Sequence, residues 1–132
     1  MRKIIFACIH NAGRSQMAAA FFNGGADPSL AHAVSAGTEP ADQVHPQVME
    51  AMREVGFDLS EAIPRLLTHE LAGDADLLVT MGCGESCPSV PGLATEDWPL
   101  PDPRGQGLES VRTIRDQIRA RINNLLRTRY WL

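Results

Sequence analysis

Apolar residues along this chain fall into short unbroken runs and longer segments of helical period. Ile4-Ile5-Phe6-Ala7 and Leu77-Leu78-Val79-Thr80-Met81 are unbroken runs, and runs of this length predict strands, over Lys3 to Ala7 and Leu77 to Met81, buried on both faces. His32 to Ser35 predicts another strand and Leu93 to Trp98 a weaker fourth. Between them lie helices. Arg14 to Asn23 is one, stopped by Gly24-Gly25. Pro46 to Val55 repeats apolar residues at Val48, Met49, Met52 and Val55, with Pro46 suited to a first turn and Gly56 to a stop. Leu108 to Thr128 sets Val111, Ile114, Ile118, Ile122 and Leu125 on one stripe. Ser60 to Pro64 predicts a further short helix and Thr68 to Leu71 a turn.

Strands alternating with helices pair in parallel through right-handed crossovers, so the expected fold is a three-layer α/β sandwich. Ligands of such folds sit beyond the carboxyl ends of the strands. A length of 132 residues predicts a single domain over 1–132, without repeats or linkers. No apolar run approaches the roughly 18 residues of a membrane span, and the run after Met1-Arg2-Lys3 is too short for a signal peptide. These features predict a cytoplasmic protein without membrane association.

The net charge of −4 is unevenly spread: residues 104–132 carry seven arginines against Glu109 and Asp116. Arg112, Arg115, Arg119 and Arg121 suit the solvated face of the last helix, and no aromatic is interleaved, so nucleic acid is not the expected partner.

The candidate chemistry starts where the first strand ends. Cys8-Ile9-His10-Asn11-Ala12-Gly13-Arg14-Ser15 is a cysteine at a strand exit, five loop residues, then an arginine opening a helix. That order describes a socket for a tetrahedral oxyanion. Loop amides can converge on one point, a helix N-terminus adds partial positive charge, and the planar fork of Arg14 can clamp two oxygens. Helix N-termini and cationic neighbours favour the nucleophilic thiolate form of a cysteine, and Ser15 could donate to the sulfur of Cys8. A buried structural cysteine at a strand end is the plainer alternative.

Cys83-Gly84-Glu85-Ser86-Cys87-Pro88 follows the third strand and therefore emerges at the same edge of the sheet as Cys8. A spacing of i, i+4 is compatible with a disulfide. A half zinc site is the competing reading, but no second pair of ligands stands at ligand spacing, and no metal is expected. Three cysteines in a reducing compartment read as redox or catalytic thiols. Pro99-Leu100-Pro101-Asp102-Pro103 could hold a carboxylate rigidly above the socket, where it would protonate a leaving oxygen; the plainer reading is a turn aspartate before proline. His32, His45 and His69 read as surface or capping residues.

The segments Cys8 to Met17, Val34 to Thr38, Leu77 to Met81, Cys83 to Pro88 and Trp98 to Pro103 resemble the arsenate reductases built on the low-molecular-weight protein tyrosine phosphatase fold, the branch usually recycled by thioredoxin. The resemblance spans nearly the whole chain. It implies four parallel strands in the order 2-1-3-4, Ile9 to Ser15 as the oxyanion-binding loop, Cys8 as nucleophile and Asp102 as acid. It also implies a relay in which Cys83 attacks the Cys8 adduct to release arsenite and Cys87 then attacks Cys83. The resulting disulfide would be reduced by an external thiol donor, thioredoxin or, as in some relatives, a glutathione, mycothiol or glutaredoxin-like partner. No tightly bound cofactor is implied.

Departures from the pattern bear on the details. Gly13 stands where many relatives carry a second loop cysteine, and His10 where glycine is frequent. Some relatives bind potassium through the counterparts of Asn11, Ser35 and a glutamate whose place here is Ala19, which leaves that site doubtful. Tyrosine phosphatases follow the Asp-Pro pair with aromatics that line a slot for the substrate ring, whereas here Arg104 and Gly105 follow. The extra thiols and the missing slot favour arsenate reduction over two alternatives: a tyrosine phosphatase using Cys8, Arg14 and Asp102, and an arsenite-binding thiol protein.

Overall fold

The computed structural model describes residues 1–82 and 90–132, so the expectations on Cys83 and Cys87 lie outside the described residues. Four strands, β1 (Arg2–Cys8), β2 (Ala31–Gly37), β3 (Leu77–Thr80) and β4 (Thr95–Asp97), form one parallel sheet in the order β2-β1-β3-β4. β1 is central: Ile5 pairs with Val34 on one side and Leu78 on the other, and Cys8 is paired with Gly37 at the last rung. The helices are α1 (Arg14–Gly25), α2 (Pro46–Arg53), the single turn α3 (His69–Ala72) and α4 (Leu108–Thr128).

Successive side chains of a strand point to opposite faces, and β1 is apolar on both. Ile4, Phe6 and Cys8 face the larger core with Met17, Phe22, Met52, Ile118 and Ile122 of α1, α2 and α4. The rings of Phe22 and Trp98 lie 5.9 and 5.7 Å from that of Phe6, so aromatic packing joins α1, the sheet and the segment after β4. Ile5, Ala7 and Leu78 face a smaller cluster closed by Ala72, Leu71, Leu67, Val90 and Leu93. Among the described residues the second layer consists of one helical turn and its loops. Each buried Ile, Leu or Phe contributes about 1.5–3 kcal/mol, and the larger face holds most of them.

Three local expectations are revised. Ser60 to Pro64 is not a helix. The Asp58 carboxylate accepts from the Ser60 amide at 2.9 Å and forms a turn, and the chain then runs extended, with the Arg65 carbonyl accepting from Gly37. Pro64 disfavours helical backbone at Ile63. The Thr68 turn is α3, capped by Thr68 Oγ1 accepting from the Leu71 amide at 3.1 Å. Gly24 and Gly25 do not stop α1 but lie within its last turn, where a β-carbon would stand 2.7 Å from Phe57 and 2.9 Å from Leu126. Close packing explains them.

The arginines of α4 are not a free basic face. Arg115 is buried and donates to the Ala51 carbonyl and to Glu54, both at 2.9 Å, and Arg112 is bonded to the same glutamate, which fastens α2 to α4. Arg119 lies over Phe21 and Arg121 over Trp98, at 5.3 and 5.7 Å from the ring centres. Among the described residues, no helix is long and apolar enough to cross a membrane.

Candidate oxyanion site

Cys8 ends β1 at the carboxyl edge of the sheet and is buried. Its sulfur lies 2.8 Å from Ser15 Oγ in the first turn of α1. Asn11 Nδ2 donates to the same hydroxyl oxygen at 2.8 Å, so the Ser15 hydrogen is free to point at the sulfur.

The loop between them turns its carbonyls outward. Those of Cys8, Ile9, His10 and Ala12 accept from the amides of Thr38, Glu39, Ala41 and His45, that of Asn11 from Gln16 Nε2, and that of Gly13 from Met17. The amides of His10, Asn11, Ala12 and Gly13, by contrast, donate to no acceptor among the described residues. Outward carbonyls with unspent amides make a nest for an anion, backed by the N-terminus of the twelve-residue α1. Asn11 takes the left-handed backbone this needs, at φ 50°, and its buried carboxamide braces the turn, Oδ1 accepting from the Arg65 amide at 2.9 Å and Gln16 Nε2 at 3.2 Å.

Arg14 is oriented by two carbonyls. Its NH1 donates to Met81 and to Leu100, the latter at 2.9 Å, which ties the guanidinium to the segments after β3 and β4. The Nε is buried without a partner among the described residues, and NH2 lies 3.9 Å from Asp102 Oδ2. One edge of the fork is thus held by protein and the Nε/NH2 edge is left for a bidentate anion.

Asp102 is brought to this edge. The Arg104 amide donates to its Oδ1 at 2.9 Å and Gln106 Nε2 to its carbonyl at 2.6 Å. Pro103 is buried against Gly13, where a β-carbon would stand 2.6 Å from the proline Cγ. A side chain at position 13 is therefore sterically incompatible with this placement of Pro103.

Sequence reasoning missed several groups at the site. Gln16 and the carbonyls of Met81 and Leu100 hold the machinery, and no spacing announces them. His45 sits beside Gly13 with its amide bonded to Ala12; burial pulls its pKa below 6.5, aided by His10 and Arg104 and opposed by Asp102. Arg104 reaches His10, NH1 to Nε2, at 3.2 Å. The Asn11 carboxamide oxygen, part of the doubtful potassium site, accepts from two N–H donors, and position 19 is alanine. No cluster of three or more His, Cys, Asp or Glu residues suited to a metal occurs among the described residues.

The chain is 41% identical over 127 residues to a putative arsenate reductase of Halobacterium salinarum, covering 93% of this chain and 89% of that one. It is 38% identical over 129 residues to the glutaredoxin arsenate reductase of Synechocystis, covering 96% and 97%. Among solved structures it is similar to a thioredoxin-dependent arsenate reductase of Corynebacterium glutamicum, with a TM-score of 0.81 and 37% identity. That match covers 97% of this chain but 61% of the Corynebacterium chain. Residues 3–129 match the model of the low-molecular-weight phosphotyrosine protein phosphatases, and the chain belongs to that family.

Proposed function

We propose that the protein reduces arsenate to arsenite through its three cysteines and is regenerated by an external dithiol such as thioredoxin. The observation that carries the oxyanion chemistry is the Nε/NH2 edge of Arg14 beside loop amides that have no acceptor among the described residues, with Cys8 beneath. Phosphate and arsenate fit such a cup equally, so the cup alone does not decide between phosphatase and reductase. Cys83 and Cys87, the placement of Arg104 and Gly105 and not aromatics directly after Pro103, and the arsenate reductase activity named for the relatives favour reduction.

In the proposed cycle the Cys8 thiolate attacks arsenic, and Asp102 gives a proton to the departing oxygen, which leaves as water. Cys83 then attacks the Cys8 sulfur. A Cys8–Cys83 disulfide forms, the sulfur–arsenic bond breaks, and its electron pair leaves with arsenic as arsenite. Cys87 attacks Cys83, freeing Cys8 and leaving a Cys83–Cys87 disulfide, which the donor reduces by exchange. Met81 is bonded to Arg14, and Gly82 lies beside the guanidinium, so the chain departs toward Cys83 from the rim of the socket; this supports the relay. A cycle of this kind needs a reducing compartment, which fits the cytoplasm.

The test is arsenate-dependent NADPH oxidation with thioredoxin reductase and thioredoxin, with glutaredoxin and low-molecular-weight thiols compared as donors. Cys8→Ser, Cys83→Ser and Cys87→Ser should each abolish turnover. Full activity of Cys87→Ser would rule out the relay. Phosphatase turnover undiminished in Cys83→Ser and Cys87→Ser, with no arsenate reduction by wild type, would move the assignment to the phosphatases.

A further inference from the structure

The anion loop and the acid loop are joined above the socket by a contact between side chains 94 residues apart: Arg104 NH1 and His10 Nε2, at 3.2 Å. An arginine has no acceptor, so His10 Nε2 accepts, which leaves the imidazole proton on Nδ1, where it donates to the Glu39 carbonyl at 3.1 Å. On the other side the Arg104 amide holds the Asp102 carboxylate, which stands 3.9 Å from Arg14. A belt therefore runs from Glu39 through His10, Arg104 and Asp102 to Arg14. Both ends are anchored in the frame that shapes the cup, since Arg14 is fixed by Met81 and Leu100 and the Glu39 amide is itself bonded to the Ile9 carbonyl.

Three oxygens of a tetrahedral anion can be taken up by the amides and the Arg14 edge. In the proposed attack the fourth stands opposite the Cys8 sulfur and is the one Asp102 protonates, which sets it on the side of the belt. An inorganic arsenate or phosphate carries only a hydroxyl or oxide there. An organic monoester or phosphonate carries a carbon substituent that needs an exit, and the belt lies across it. We propose that the Arg104–His10 bridge is a specificity determinant that admits bare oxyanions and disfavours those with an organic substituent. Arg104 acts here as a positioning residue, distinct from the groups that hold the reacting atoms. The inference rests on the socket assignment above but not on the thiol relay, so it can be tested without turnover.

The test is equilibrium binding of inorganic phosphate and of phenylphosphonate to the reduced full-length protein by titration calorimetry. Variants are Arg104→Ala, Arg104→Lys, His10→Ala and His10→Gln, each checked for a wild-type melting curve. The readout is the ratio of the phenylphosphonate to the phosphate dissociation constant, which general weakening of the socket leaves unmoved. Arg104→Ala and His10→Ala should each lower this ratio by about tenfold, the scale of discrimination by one pocket contact. His10→Gln, which keeps an acceptor, and Arg104→Lys, which keeps a donor, should return it toward wild type. A ratio unchanged in both alanine variants would overturn the proposal, as would a wild-type ratio near one. So would a fall in Arg104→Ala with none in His10→Ala, which would assign the effect to bulk and not to the bridge. Failure of the wild type to bind phosphate would be a different result, one that removes the socket assignment itself.

Discussion

Pro103 packs on Gly13 so closely that a β-carbon at position 13 would lie 2.6 Å from the proline ring. This contact couples the loop that holds the anion to the loop that carries Asp102. Gly13→Ala must push Pro103 away and Asp102 with it. A displacement of about 1 Å can cost on the order of a hundredfold in rate. Arsenate turnover should fall by that order while the melting temperature moves little.

Arg14→Lys keeps the charge and loses the fork. A lysine can satisfy the Met81 and Leu100 carbonyls or approach the anion, but it cannot present two parallel N–H groups. Losing one charge-assisted hydrogen bond is worth about 1.5–3 kcal/mol, so phosphate affinity should drop roughly ten- to hundredfold by calorimetry. Affinity equal to wild type would show that the free edge does not hold the anion.

Ser15→Ala removes the hydroxyl 2.8 Å from the Cys8 sulfur while leaving the loop carbonyls tied. Losing this hydrogen bond, about 0.5–1.5 kcal/mol, should slow alkylation of Cys8 by iodoacetamide by roughly two- to tenfold. Mass spectrometry of the Cys8 peptide separates this from alkylation of Cys83 and Cys87.

Glu54 provides a prediction on acid stability. Hydrogen bonds from Arg112, its largest influence, and from Arg115 hold its carboxyl at about 2, below its ordinary 4.5. The unfolded chain therefore takes up this proton first as the pH falls. The stabilisation is present in full above about 4.5 and is lost progressively as pH falls toward about 2. Glu54→Gln should melt below wild type at pH 7, and the gap should close as the pH is lowered through that window. A gap independent of pH would mean that the carboxylate charge is not what ties α2 to α4.

The sheet was legible because β1 and β3 are buried on both faces, and Ile4 to Ala7 and Leu77 to Met81 accordingly read as unbroken apolar runs. Cys8 and Arg14 were legible because their chemistry depends on local spacing at a strand-to-helix junction. What escaped depends on distant partners. Arg115 has the spacing of a solvated residue, and only the arrival of Ala51 and Glu54 buries it. His45 looks like a cap before Pro46, and its place at the mouth follows from the bond between its amide and Ala12. Ser60 to Pro64 has enough apolar character for a helix, but Asp58 claims the Ser60 amide and Arg65 is drawn to Asn11.

The stretch from Thr38 to His45 donates four amides to the backs of Cys8, Ile9, His10 and Ala12, although it supplies no atom to the proposed reaction. It behaves as the outer half of a mould whose casting is the anion cup. A deletion or a helix-favouring change there would deform the receptacle from behind, leaving every reactive side chain present and none of them aligned.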